Sequence, residues 1–372
     1  MIPEFRLERA FARWEFSAPH LFSPSDCETL SIQELLELAG MPARELLDLR
    51  LGYTESQGDP ALRERIAALC DVAAEDVLVV VPEEGILLAA LSAVEPGDRV
   101  VVQTPCYQSL SDVAAWRGAE VVPWPLVEDG GSWRMDLGHL DALLEPGTRM
   151  LVVNAPHNPT GHLPEPKELD GIVALCEERG ARLFVDEMYR GLEHDPAARL
   201  PSAASLDPRA VSLGGLSKTY GLPGLRLGWL VTRDEELRRR LGRWKDYTTI
   251  CAPAPSELLG RIALEHAGRL AERSRAIVVE NLGHARAFAA RWPDLLAWRE
   301  PRAGSVAFAR VLDPAGATAF ADGAVEHGGV MIVASPLFDF GDAHIRIGLG
   351  RRNFTLAISA LEGYLRRDHI TR

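Results

Sequence analysis

Between residues 76 and 232 the chain repeats one pattern seven times: a short, largely β-branched hydrophobic run, followed by polar punctuation. The runs are 76–81 (DVLVVV), 99–104 (RVVVQT), 119–124 (AEVVPW), 149–156 (RMLVVNAP), 181–187 (ARLFVDE), 210–215 (AVSLGG) and 227–232 (LGWLVT). Several of the separating stretches carry helical apolar spacing, as in 86–94 (ILLAALSAV) and 166–180 (PKELDGIVALCEERG). Strands that look buried on both sides, alternating with helices, predict an α/β fold: a mainly parallel seven-stranded sheet covered by helices. In such sheets a ligand sits beyond the carboxyl ends of the strands. Residues that end these runs, or lie just after them, are therefore the candidates for chemistry.

The pattern changes near residue 251. A long helical tract runs over about 255–290, strand-like pieces follow at 305–312, 329–335 and 344–350, and a last helix begins at 355. We read 46–250 as a large domain, and 251–372 together with the segment 1–45 as a smaller α+β domain. A chain of 372 residues accommodates both. Its net charge of -13 argues against nucleic acid and anionic membranes as partners, although a local site can still oppose that field. No apolar run reaches membrane-spanning length and the start lacks a signal-peptide pattern. Five scattered cysteines with no C-x-x-C pair read as reduced thiols, and the expected location is the cytoplasm.

Lys218 stands in 211–230 (VSLGGLSKTYGLPGLRLGWL), among small and apolar residues. Desolvation disfavours the ammonium, and a neutral amine is a nucleophile able to form a Schiff base; the bland reading is a surface lysine in a glycine-rich loop. Asp186 ends a hydrophobic run, where an unpaired carboxylate is costly. It either meets a buried cation, such as a protonated pyridine nitrogen, or caps the next helix. Tyr189 is placed to hydrogen-bond a phenolate oxygen, and Asn158, in 154–161 (NAPHNPTG), offers a neutral donor at a strand end. His157 of that stretch reads as a loop residue or a catalytic one. Arg226 shares the Lys218 loop and suits a phosphate. Arg346 alternates with Ile345 and Ile347 on a strand, which calls for a substrate carboxylate or an internal ion pair.

Taken together, NAPHNPTG, VDEMYR and SKTYGLPGLRLGW, in that order, resemble the fold-type I, class I/II aminotransferases that use pyridoxal 5′-phosphate (PLP). The resemblance extends from 51–67 (LGYTESQGDPALRERIA) to 344–353 (HIRIGLGRRN). It implies that Lys218 forms the Schiff base and shuttles protons, that Asp186 keeps the ring nitrogen protonated, and that Asn158 and Tyr189 bind the ring oxygen. It further implies that Tyr107 stacks on the ring, that Arg226 binds the phosphate with help from Ser217, and that Arg346 grips the substrate α-carboxylate. Tyr53 would reach the phosphate of a neighbouring subunit, so a homodimer is implied.

Three departures stand out. The helix start that commonly offers small residues to the phosphate here reads 81–89 (VPEEGILLA), where Glu83 and Glu84 would repel an anion and Gly85 is expected to supply the close approach. A Ser or Thr often stands three residues before the lysine, where this chain has Gly215. The segment that carries a dicarboxylate-reading arginine in some relatives is 244–257 (WKDYTTICAPAPSE), with Lys245 but no arginine, while Asp26 and Glu28 stand in the N-terminal loop. Those two carboxylates favour a substrate with a cationic side chain, unless Ser25 or Asp26 merely caps the following helix. The main expectation is an aminotransferase acting on an amino acid and a 2-oxo acid. The alternative is a PLP lyase or cyclase working on an arginine-like amino acid, because 23–28 (SPSDCE) and 245–251 (KDYTTIC) are similar to segments of such atypical members. A non-catalytic regulator is disfavoured by the intact residue set.

Overall fold

The computed structural model describes residues 1–371. The seven runs form one sheet: β1 (Val77–Val80), β2 (Arg99–Thr104), β3 (Glu120–Pro125), β4 (Thr148–Asn154), β5 (Arg182–Asp186), β6 (Val211–Gly215) and β7 (Gly228–Val231). Their order is β1-β7-β6-β5-β4-β2-β3. Strands β2 to β6 are mutually parallel, and β7 runs antiparallel to both β6 and β1. Successive side chains point to opposite sides, and apart from the edge strand β3 both faces are buried in packed cores. Val100, Val102, Phe184 and Leu213 pack on one side with Ile86 and Ala89. Val101, Leu151, Val153, Leu183 and Val185 pack on the other with Ile172 and Cys176.

Two helices bear on the site, α1 (Arg6–Trp14) and α3 (Pro82–Ala93), while α2 (Ile32–Ala39) follows the N-terminal loop. Proline at its first position and Glu84, whose Oε2 accepts from the Val81 N–H at 3.0 Å, start α3 immediately after β1. Helix α2 is capped by Ser31 in a reciprocal box with Glu34, so neither Ser25 nor Asp26 is its cap.

The second sheet is antiparallel, with β8 (Leu296–Ala297), β9 (Val306–Val311), β10 (Val333–Ala334) and β11 (His344–Gly348) in the order β8-β9-β11-β10. The helical tract before it is two helices, Ala254–Glu265 and Ala267–Arg291, separated at His266. His20–Leu21 pairs in parallel with Val330–Met331, which ties the N-terminal segment to the C-terminal one. Leu35 and Leu36 of α2 instead join Leu62, Ile66 and Val79 in a separate core. Among the described residues no helix is long and apolar enough to cross a membrane.

Candidate active site

Strands β4, β5 and β6 lie side by side, with Asn154 opposite Asp186 and Asp186 opposite Leu213. Their carboxyl ends, and the loops that follow, open on a cavity of about 530 Å³. Asn158, Asp186, Tyr189, Ser217, Lys218 and Arg226 line it from the large sheet, Tyr107 from the loop after β2, and Arg346 from β11.

Asp186 is buried and accepts the Met188 N–H on Oδ1 at 3.0 Å. Burial pushes its carboxyl up to about 7, helped by Glu83 and opposed by that hydrogen bond and by Lys218. It makes no ion pair among the described residues. The Tyr189 hydroxyl and the Ser217 hydroxyl are buried with no hydrogen-bond partner, an arrangement that costs about 1–3 kcal/mol per group unless a ligand completes it. The amine of Lys218 donates to Ser25 Oγ at 2.9 Å.

The Asn158 loop is held from its own strand. Asn154 Oδ1 accepts the Asn158 N–H at 2.6 Å, while Asn154 Nδ2 donates to the Asp186 carbonyl at 2.8 Å. Asn158 Oδ1 in turn accepts from Arg346 Nη1 at 3.1 Å. Arg346 is only 1% exposed and also donates from Nε to the Ser23 carbonyl at 3.0 Å. Its guanidinium lies 5.6 Å from the Phe11 ring centre and 5.3 Å from that of Phe338, and it forms no ion pair among the described residues. A buried cation with aromatic contacts and no counter-ion is ready for an anionic ligand. Tyr107 donates to Glu8 Oε1 at 2.9 Å, and burial, with the charges of Glu83 and Glu8, holds its phenol protonated far above the usual range.

This donor set suits PLP: an amine for its aldehyde, a buried carboxylate without an ion pair among the described residues for its ring nitrogen, an unpartnered phenol for its ring oxygen, and Ser217 with Arg226 for its phosphate. The profile of the aminotransferase class I and II family matches residues 34–355. The chain belongs to that family. It is a PLP-dependent enzyme. Capreomycidine synthase of Streptomyces vinaceus is 34% identical over 351 residues, which is 93% of this chain and 89% of that protein. A PLP-dependent aminotransferase from Streptococcus suis 89-1591 superposes with a TM-score of 0.92 at 29% identity, covering 98% of both chains. The PLP-dependent cyclase OrfR superposes with a TM-score of 0.90 at 29% identity, again covering 98% of both chains.

Several residues expected at this aminotransferase-family site are placed differently. Gly85 does not line the cavity; it faces the sheet, where an added Cβ would lie 2.8 Å from Leu213 Cδ1 and 3.2 Å from Val80 Cγ2. Its smallness serves helix-to-sheet packing rather than approach to a phosphate. Glu84 turns away and binds the 244–257 segment, accepting the Thr249 hydroxyl at 2.7 Å and bonding the Thr248 hydroxyl. Glu83 does line the cavity, and burial raises its carboxyl above the ordinary value. Glu28 does not line it, because its carboxylate accepts the Arg352 N–H at 2.9 Å. Asp26 lines it but is forked by Arg351 through Nε at 3.1 Å and Nη2 at 2.9 Å. Tyr53 is 93% exposed and does not line the cavity. His157 is buried beside Thr160 at 2.8 Å, and burial, then His162, pull it down to about 3, as befits a neutral core residue.

The sequence reading missed the roof. Helix α1 covers the cavity with Leu7, Glu8 and Phe11, and Phe5 and Glu15 flank them. The signal available was an apolar stripe at Leu7, Phe11 and Trp14, which marks a helix but not the surface it covers.

Proposed function

We propose that this enzyme is an aminotransferase that moves an amino group between an amino acid and a 2-oxo acid. The observation that carries this reading is that Lys218 and the counter-ion-free Arg346 face the same cavity, an amine beside a carboxylate subsite. PLP, when bound, supplies an aldehyde that joins amines and a cationic ring that draws electrons from the adjoining carbon. Lys218 Nζ would hold that aldehyde and would carry the proton at the substrate Cα. Asp186 would keep a proton on the ring nitrogen by pairing its charge with it, Tyr189 and Asn158 would bind the ring oxygen, and Tyr107 would pack on the ring. Arg226 and Ser217 take the phosphate, and Arg346 orients the substrate through its carboxylate.

The active form is a homodimer in which Tyr53 reaches the partner's phosphate site. Support comes from a group of exposed apolar side chains, Leu47, Leu51, Tyr53, Tyr247 and Ile250. A cytoplasmic location accords with five free cysteines. A second reading, a PLP-dependent cyclase, is favoured by the likeness to capreomycidine synthase and to OrfR along nearly the full chain.

Incubating the PLP-loaded enzyme with a panel of amino acids plus pyruvate or 2-oxoglutarate, and analysing the new amino acids, tests both. Nitrogen appearing on the added oxo acid supports the aminotransferase. A ring-closed or eliminated product without transfer supports the second reading. A protein that takes up no PLP overturns both.

A further inference from the structure

The loop 22–28 brings Pro24, Ser25 and Asp26 to the cavity and is stapled along its length. The Phe22 N–H donates to the Met331 carbonyl at 3.0 Å, and the Phe22 carbonyl accepts the Gly348 N–H at 2.8 Å. Ser23 Oγ accepts the Val333 N–H at 2.9 Å, and the Ser23 carbonyl accepts Arg346 Nε at 3.0 Å. The Ser25 carbonyl accepts the Ser305 hydroxyl at 2.6 Å, Asp26 is forked by Arg351, and the Glu28 N–H donates to the Gly350 carbonyl at 2.8 Å. A Cβ added at Gly348 would collide with the Pro24 carbonyl, and one at Gly350 with that of Asp26, so the loop lies in backbone contact with the end of β11. The Ser25 side chain is the exception. It lines the cavity, and its hydrogen-bond partner among the described residues is the Lys218 amine, which donates to Oγ at 2.9 Å.

That contact joins two parts of the site. The loop that fixes Arg346 through Ser23 fixes the Lys218 amine through Ser25, two residues further on. A carboxylate held on Arg346 would place its adjoining Cα one bond away, on the side of the cavity that this loop borders. Lys218 has a long flexible stem with many rotamers, so its amine stays in one place only against a fixed partner. Ser25 suits that task because its oxygen accepts. An uncharged amine bonded to it through an N–H keeps its lone pair free for the Cα proton. After that proton has moved from Cα to Nζ, the ammonium still has an N–H for the same oxygen.

We propose that Ser25 is a positioning residue, which holds the Lys218 amine beside the substrate Cα whenever that amine is not joined to PLP. This rests on the reading of the site as one for an amino acid joined to PLP, and it applies whether nitrogen is transferred or a ring is closed. In the PLP-free proteins, Lys218 is acetylated with a limiting N-hydroxysuccinimide ester and the adduct is quantified by peptide mass spectrometry. Ser25→Ala frees the amine from its tether, and Lys218 reacts about threefold or more faster, the scale of one lost hydrogen bond. The loaded proteins are then given a panel of L-amino acids in D2O, and exchange of the Cα hydrogen is followed by NMR. Ser25→Ala slows exchange by about tenfold to a hundredfold, the scale of a misplaced acid–base group, while its PLP dissociation constant and borohydride-fixed mass increment stay close to wild type. Ser25→Thr, which keeps the hydroxyl, recovers both measurements. Unchanged acetylation or unchanged exchange in Ser25→Ala, or no recovery in Ser25→Thr, overturns the proposal while the amino-acid site stands. Loss of PLP uptake in Ser25→Ala overturns it too, since the residue then supports the fold or the cofactor rather than the amine. No exchange of any amino acid by the wild type overturns the site reading, and this proposal with it.

Discussion

Asp186→Asn is the most demanding test of the site, because its effect reverses between the free and the loaded protein. A carboxyl raised from 3.8 to about 7 by burial means that the folded, PLP-free chain prefers the protonated form. The ionised form therefore destabilises that fold, by a cost that starts above the unfolded pKa and is complete above the folded one. With those two values it is about 2 kcal/mol at pH 5.5 and about 4 kcal/mol at pH 8.5. Asparagine cannot ionise, yet its Oδ1 can still accept the Met188 N–H, so the substitution removes the charge and keeps the contact. Urea titrations of the PLP-free proteins at the two pH values should show the variant's advantage over wild type growing by about 2 kcal/mol from the lower to the higher. With PLP present the order inverts, since the variant lacks the counter-charge for the ring nitrogen. An advantage that does not change with pH would refute the argument that Asp186 waits for a cation, whatever happens to activity.

Three other outcomes follow from the same geometry. Lys218→Ala should abolish the mass increment fixed by borohydride reduction and lower turnover by about a thousandfold, the usual weight of a positioned acid–base group. Arg346→Lys should raise the amino acid KM by about tenfold to a hundredfold in steady-state assays, because an ammonium cannot fork a carboxylate while also donating to Ser23 and Asn158. Gly85→Ala should cost about 1 kcal/mol of stability through its contact with Leu213, lowering the melting temperature by a few degrees, with the PLP dissociation constant nearly unchanged; a large loss of PLP affinity would return Gly85 to the phosphate site.

What could be read in advance was what depends on local pattern. Each of the seven runs carries its own strand signal, and the residues at their ends are fixed to the cavity by the parallel topology that those runs imply. The direction of β7 was not legible, because LGWLVT is equally apolar whichever way it runs. Nor were the pairings of Asp26 and Glu28, whose partners Arg351 and Arg352 lie more than 300 residues away in sequence. Gly85 shows the same limit. A missing side chain signals a close approach, but the chain alone does not say whether the neighbour is a phosphate or Leu213.

Helix α1 is tethered to the second sheet's side of the molecule: Arg6 pairs with Asp339 at 2.7 Å, one residue beyond Phe338, while its N–H donates to Gln108 at 3.0 Å. Phe11 and Phe338 thus both lie against the very guanidinium that would receive a carboxylate. Seating of that anion and docking of the helix share a free energy, and the linkage is mutual. Whatever loosens Arg6 from Asp339, salt included, should weaken the hold on substrate from a residue that never touches it.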